Sequence, residues 1–137
     1  MAKTLELNVE FSTKNDAVNY ITGHSMKNNF NMQEISKDYN IIFMQRGEAS
    51  YTHKGKTVVT GHNRIYGDHV ESLRAKGSKF VLDPNKPVLI FVKTLHGGNK
   101  ALTFYKFHGV FKIDSVTTQI NPLDYTVFVK TADEVTF

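Results

Sequence analysis

The chain has 137 residues, 40% of them hydrophobic and 22% charged, with a formal net charge of +4 at pH 7. This length predicts a single domain over residues 1–137 with a hydrophobic core. The longest apolar run is too short to cross a bilayer, and the segment MAKTLELNVEF lacks the apolar stretch of a secretory signal. The absence of Cys excludes a disulfide framework and a Cys-based zinc site. We therefore expect a cytoplasmic protein without a membrane partner.

The first predicted element is a strand in the segment LELNVEF. Its apolar residues recur at every second position, as Leu5, Leu7, Val9 and Phe11. This period of two is typical of a strand with one buried face.

A short helix is predicted next, in the segment STKNDAVNYITGHSMKN. Thr13 followed three residues later by Asp16 resembles a capping box, which marks a helix start. Three further residues share one face of this helix: Ala17, Tyr20 and Ile21.

Two patterns in the middle of the chain indicate strands. YNIIFMQRG is predicted to be a strand, and EASYTHKGKTVVTG is predicted to be a hairpin that turns near Lys54 and Gly55.

Residues 68–77 are predicted to form a second short helix. Asp68 at the N-cap, Glu71 three residues later and Gly77 after the last turn follow the pattern of helix ends. The predicted core-facing residues fall at helical spacing: Tyr66, His69, Val70 and Leu73. Arg74 and Lys76 would then lie in the last turn, where cations are favourable.

The last third of the chain contains the strongest strand signals. KPVLIFVKT is apolar on both faces and is predicted to be a central strand. The run at 101–113 is aromatic and contains Gly109, which predicts a bulge or a bend, and it is expected to pair with the strand at 87–94. YTVFVKT adds another strand. The fold class is therefore α+β, a mainly antiparallel curled sheet or partly open β-barrel with two short helices.

The charges are unevenly distributed along the chain. Residues 46–83 carry seven basic and four acidic residues, and residues 84–113 carry five Lys and no acidic residue. Residues 114–137 carry one Lys, Lys130, and four acidic residues. Basic residues collected in one part of a chain suggest a surface that faces a polyanion, although a solvated face without a partner has the same composition.

We expect the hairpin and loop at 51–66 and the basic turn at 74–79 to form one nucleic-acid-binding surface. Arginine suits this role because its planar fork matches phosphate oxygens and the guanine edge. The candidate contact residues are Arg46, Tyr51, His53, Lys56, His62, Asn63, Arg64, Tyr66, Arg74, Lys76 and Lys79. Lys130 is expected to lie apart from this surface.

Catalytic and metal-binding readings have less support. GDHVE resembles part of the HNH or His-Me-finger nucleases, with His62, Asp68 and His69 as candidate catalytic residues, but the helix that carries another ligand there is not predicted here. No H-x-H, H-E-x-x-H or G-x-S-x-G spacing occurs. The sequence therefore predicts no metal and no cofactor, and it favours a binding module over an enzyme.

Residues 60–113 resemble the SRA-like DNA-binding modules of the PUA-like β-barrel group. The resemblance rests on the Gly67-Asp68 step, the segment ending RAKGSK, the strand NKPVLIFVK and the strand YKFHGVFKI. It implies binding of duplex DNA, with a modified or flipped base read in a pocket. Tyr51, Tyr66 or Phe80 would stack on such a base.

Alternatives remain open at this point. The same basic surface would suit RNA, or an acidic protein that this chain binds and inhibits, as phage-encoded inhibitors do. A His-dependent, metal-assisted nuclease is a second alternative, and a homodimer is compatible with the sequence. The nucleic-acid alternatives differ from the protein partner in one respect, because nucleic-acid binding must weaken as salt rises.

Overall fold

The computed structural model describes residues 3–26, 33–75, 82–95, 102–117 and 123–137. These ranges contain one helix and eleven strands. The elements in chain order are β1 Thr4–Leu5, β2 Glu10–Phe11, α1 Lys14–Thr22, β3 Gln33–Ile35, β4 Asn40–Met44, β5 Gly47–His53, β6 Lys56–Ile65, β7 His69–Ala75, β8 Val88–Leu95, β9 Thr103–Thr117, β10 Leu123–Ala132 and β11 Val135–Thr136. The described residues include no helix with the length and apolar character needed to span a membrane.

Nine strands form one sheet in the order β3-β4-β8-β9-β10-β7-β6-β5, with β2 paired to β9. The pairs are antiparallel except for β4 and β8. The two end strands, β3 and β5, are not paired to each other in the described residues, so the sheet is curled rather than a closed barrel. The predicted mainly antiparallel curled sheet is confirmed, but only one helix is present in the described ranges instead of two.

The sheet is buried on both faces at its centre because β4 and β8 each contribute to two cores. One core lies between the sheet and α1, and contains Ile41, Phe43, Leu89 and Phe91. The other fills the inside of the curl, and its members from all strands are Ile42, Met44, Ile65, Val70, Val88, Ile90, Val92, Phe111 and Phe128. The continuous apolar runs of β4 and β8 follow from this burial on both faces.

A bulge in β9 shifts the alternation of its side chains by one residue, so that Phe107 and Phe111 lie in different cores. Ile90 pairs with Gly109 while Phe91 pairs with Phe107, so His108 is the extra residue. Phe107 therefore packs in the core beside α1, and Phe111 packs inside the curl. Gly109 has a φ of 129°, a conformation that suits glycine, which confirms the predicted bulge.

The predicted helix start at Thr13 is confirmed. Thr13 Oγ1 accepts a hydrogen bond from the Asp16 amide at 3.0 Å, and Gly23 ends α1 in the left-handed conformation. Ala17 and Val18 are fully buried against the sheet, and Tyr20 and Ile21 pack beside them. The hairpin turn is also confirmed, because both Lys54 and Gly55 have positive φ, as a two-residue turn of type I′ requires.

The predicted helix over 68–77 is wrong. Residues His69–Ala75 form β7, which pairs with β6 on one side and β10 on the other. Asp68 is therefore not a helix N-cap. The segment HVESLRA fits a strand equally well, because Val70 and Ser72 are fully buried while the residues between them face outward. Pairing with two neighbouring strands outweighs the local helix signals.

The single strand predicted for LELNVEF is also wrong. Asn8 has a φ of 71°, which divides the segment into β1, paired with β11, and β2, paired with β9. Leu5 is fully buried, but Leu7 and Val9 are exposed. Asn adopts the left-handed conformation more readily than most residues, so the turn forms at this position.

We expect Gly109→Ala to destabilise the fold by about 2 kcal/mol, because a side chain strains this backbone conformation. A Cβ at this position would also lie 2.8 Å from Lys130 Cε and 3.1 Å from the Ala132 carbonyl oxygen. Urea unfolding measures the change. The control is Gly67→Ala, since a Cβ on Gly67 meets no atom within 4 Å, and its effect should stay within about 0.5 kcal/mol. Equal stabilities for the two variants would contradict the assigned bulge.

Candidate nucleic-acid interface

The two faces of the β6–β7 pair differ in character. We call the face that lines the curl the inner face, because Ile65 and its partner Val70 lie there in the core. Side chains alternate along a strand, so the following inner pairs are Asn63 with Ser72 and Gly61 with Arg74. The outer face carries the residues between them.

Asn63 is a structural residue inside the curl. Its side chain is only 3% exposed, its Nδ2 donates to the Gln45 carbonyl at 2.9 Å, and its Oδ1 accepts from Ser72 Oγ at 2.7 Å. These bonds join the link after β4 to β6 and β7. Because its amide is already bonded within the protein, we leave Asn63 out of the interface proposed below.

Arg74 lies where the apolar core of the curl ends. The inner pairs beside it are buried, whereas Arg74 is half-buried, so we call the end of the curl formed by Gly61 and Arg74 the Arg74 mouth. A Cβ on Gly61 would lie 2.8 Å from the Leu73 carbonyl oxygen and 3.3 Å from Arg74 Cδ. The absence of a side chain at Gly61 therefore leaves room for Arg74 to cross it. Burial lowers the pKa of Arg74, although a guanidinium stays charged at any physiological pH.

The outer face holds a different set of charges. Arg64 is exposed opposite Glu71, and Glu71 accepts a hydrogen bond from the Tyr125 hydroxyl at 2.5 Å. This bond raises the pKa of Tyr125. Arg64 and Arg74 thus lie on opposite faces of the same strand pair, and the structure does not bring them onto one surface.

An aromatic and acidic group follows at the turn between β6 and β7. The rings of Tyr66 and His69 stack with centroids 4.4 Å apart, and Tyr66 is 45% exposed. His69 Nδ1 lies 2.7 Å from Asp68 Oδ1 and donates to it. This hydrogen bond lowers the pKa of Asp68. An aspartate that orients a histidine is an arrangement used in general base catalysis, but both side chains are exposed to solvent here.

At the end of the curl opposite the Arg74 mouth, two side chains each donate a hydrogen bond to a backbone carbonyl. Arg46 Nη1 donates to the Ile65 carbonyl, and His108 Nε2 donates to the Tyr66 carbonyl at 2.6 Å. Burial lowers the pKa of His108, the Tyr66 carbonyl opposes this shift, and the charges of Lys130 and Arg46 add to it. We call this end of the curl the Arg46 mouth.

His108 and Lys130 are residues of this end that sequence reasoning missed. The His108 ring lies parallel to the Phe111 ring, with centroids 5.6 Å apart. Lys130 Nζ lies 5.7 Å from the centre of the Phe111 ring and 3.0 Å from Asp133 Oδ1, and its side chain is only 15% exposed. Lys130 is therefore packed against the core of the curl through the Phe111 ring, and its separation from the surface expected at 51–66 and 74–79 stays a prediction. The bulge at Gly109 was the available signal, because a bulge changes the direction of the next side chains.

The remaining predicted contacts are spread over the β5–β6 hairpin and beyond. Lys56 is exposed beside the turn, and His62 is half-buried on the outer face. Tyr51 and His53 lie on β5. The predicted contacts Lys76 and Lys79, and Phe80, fall outside the described residues.

The three candidate catalytic residues do not form one cluster. Asp68 and His69 are adjacent, but His62 pairs with Leu73, which is about 13 Å along β7 from His69 at the usual rise of a strand. The described ranges contain no group of three or more His, Asp or Glu residues that could hold a metal ion.

One solved structure shows where this fold has been seen. The chain is similar to the 5-hydroxymethylcytosine-specific restriction enzyme AbaSI, with a TM-score of 0.65 and 19% sequence identity. The match covers 96% of this chain and 42% of that enzyme, so the chain spans less than half of the enzyme's length. No protein-family model and no curated protein sequence matches the chain. The similarity of fold supports the SRA-like fold that the sequence resemblance implied.

We expect the Asp68 carboxyl to titrate below its ordinary pKa, and His69→Ala to return it toward that value, because the hydrogen bond from His69 stabilises the carboxylate. This pair therefore favours the folded state above the ordinary Asp pKa, and its contribution is lost as the pH falls through the lowered pKa. Carboxyl carbon NMR measures the titration. Asp38→Asn, in the turn before β4, serves as a control that leaves the pair intact, and an unchanged Asp68 titration in His69→Ala would contradict this account.

Proposed function

We propose that the chain is a duplex DNA-binding module and that it contacts DNA at the Arg74 mouth. The observation that carries the proposal is the similarity of fold, over 96% of the chain, to a restriction enzyme specific for a modified DNA base. An enzyme with that specificity must contact DNA, so the shared fold supports a DNA-acting role for this chain.

The surroundings of Arg74 support its choice over Arg64. A half-buried guanidinium at the end of an apolar core interacts with a phosphate or a base edge more strongly than an exposed one, because less water screens it. On the outer face, Arg64 is exposed and lies opposite Glu71, whose carboxylate reduces the positive potential there. Arg74 pairs with Asp124 across β10, so the preference for Arg74 rests on its burial rather than on an absence of acidic neighbours. Arg74 is also followed in the sequence by Lys76 and Lys79.

The finer part of the proposal is that the module reads a base extruded from the duplex. Such proteins meet the cost of unstacking through hydrogen bonds to the base and through stacking on side chains. The Arg74 mouth offers a guanidinium fork, held where the Arg74 side chain crosses Gly61. A modified cytosine is the first candidate because of the specificity of the structural neighbour.

We expect Arg74→Ala to weaken binding to a short duplex by at least about tenfold, while Arg64→Ala has little effect. Fluorescence anisotropy at several salt concentrations measures both the affinity and its salt dependence. The two variants are matched, because each removes one guanidinium from the same strand pair and they differ in the face. Arg74→Lys and thermal melting separate a loss of charge from a loss of folding. A wild-type chain that binds no duplex at low salt would refute the proposal and favour the protein-partner alternative.

Base reading is tested with duplexes that differ at a single cytosine, which is unmodified, methylated or hydroxymethylated. We expect a preference of about tenfold for the hydroxymethylated duplex, the size that one well-placed hydrogen-bonding pair provides. A fluorescent base analogue beside that cytosine reports unstacking. Equal affinity for the three duplexes with no change in fluorescence would leave DNA binding intact but would rule out the reading of an extruded base at this position.

A further inference from the structure

A cleft on the α1 side of the sheet lies outside the interface proposed above. Its volume is about 500 Å³, and it lies where β4 and β8 end and β9 begins. The described residues that line it are Gln45, Arg46, Lys93, Leu95 and Thr103. A cleft of this size suits a small ligand or one unit of a polymer.

The two cations of this cleft have no carboxylate partner among the residues that the structure describes. Arg46 donates to the Ile65 carbonyl, which fixes one end of its guanidinium without neutralising the charge and leaves other N–H groups of the fork for a ligand. Lys93 is half-buried on β8. Glu10 does not compensate Lys93, because it accepts from Thr94, and consecutive side chains of a strand point to opposite faces.

A second observation shows that positive charge accumulates here. Lys14, in the first turn of α1, has a lowered pKa, first because it is partly buried and then because Lys93 is close to it. The charge of Lys93 thus disfavours another cation beside it, and Lys93 together with Arg46 gives the cleft a positive potential that an anion would relieve.

We propose that this cleft binds a phosphate ester, with the phosphate between Arg46 and Lys93 and the attached organic group against Leu95. Arg46 supplies a fork that matches two phosphate oxygens, and Lys93 supplies a point charge. Leu95 is 56% exposed, so an ester would cover apolar surface as well as supply charge. Gln45 and Thr103 add an amide and a hydroxyl group at the rim.

The phosphate ester has two possible sources, which are the backbone of the duplex and a free nucleotide. The duplex source rests on the proposed function, because it makes the cleft a second phosphate contact outside the Arg74 mouth. The nucleotide source does not depend on it.

The test compares Lys93→Ala with Lys37→Ala. Lys37 is an exposed lysine in the turn before β4, separated from the cleft by the whole of β4, or about 16 Å of strand. Both variants lose one positive charge, so a general charge effect would change them equally. Lys93→Arg keeps the charge and should restore binding, and melting curves confirm that each variant is folded.

The two probes are a short unmodified duplex and thymidine monophosphate. For a backbone phosphate, Lys93→Ala should reduce the slope of log affinity against log salt by about 1, while Lys37→Ala leaves the slope unchanged. For a free nucleotide, thymidine monophosphate should bind the wild type saturably by calorimetry, and Lys93→Ala should weaken it about tenfold, the size of a lost hydrogen bond to a charged group.

Either result supports the phosphate site and identifies its source. The proposal is overturned if Lys93→Ala behaves like the wild type with both probes, or if Lys37→Ala matches it. If the wild type binds no duplex at any salt concentration, the proposed function fails, and the phosphate site is then decided by the nucleotide titration alone.

Discussion

The extra residue in β9 is the constraint on which the architecture depends. Phe107 packs toward α1 whereas Phe111 packs inside the curl, because the extra residue His108 reverses the alternation, and after it Val110 takes the side that faces α1. A regular strand would place the Phe111 ring on the side of α1 and leave the curl without one of its largest members. The bulge requires a residue with positive φ and no side chain, since Lys130 and the Ala132 carbonyl occupy the adjacent space. Gly109 meets both conditions, and the positions of His108 and Lys130 follow from it.

The elements that could be predicted from the sequence are those whose signals are local. Three segments each carry enough local signal to determine their own structure. They are the cap at Thr13, the turn at Lys54 and Gly55, and β8, which is apolar on both faces. β7 could not be predicted in this way. Its residues satisfy a helical spacing and a period of two at once, and the flanking Asp68 and Gly77 match helix ends. The strand forms because β6 and β10 supply hydrogen bonds on both sides, and that pairing is not encoded within the segment itself.

The same missing information explains what was and was not predictable about the site. The sequence correctly indicated that arginines are concentrated in the middle of the chain. It did not show that Arg64 pairs across from Glu71 while Arg74 pairs across from Gly61, and this register decides which face each occupies. Asn63 has the residue type of a base-reading side chain, but its amide joins two parts of the fold. Composition therefore predicted a partner class, whereas the assignment of individual residues required the pairing of the strands.

The two ends of the curl differ in how their charge responds to the environment. At the Arg74 mouth, burial lowers the pKa of the guanidinium. Its ordinary pKa is so high that the group stays charged, so Arg74 remains a positive site despite its partial desolvation. At the Arg46 mouth, burial and two neighbouring cations lower the pKa of His108, which holds the imidazole neutral with its Nε2 proton on the Tyr66 carbonyl. Protonation of His108 is therefore disfavoured by the fold, and this end keeps a structural hydrogen bond where a second charge would repel Arg46. The two ends of the curl thus differ in kind, because Arg74 keeps its charge at any physiological pH whereas the fold disfavours a charge on His108.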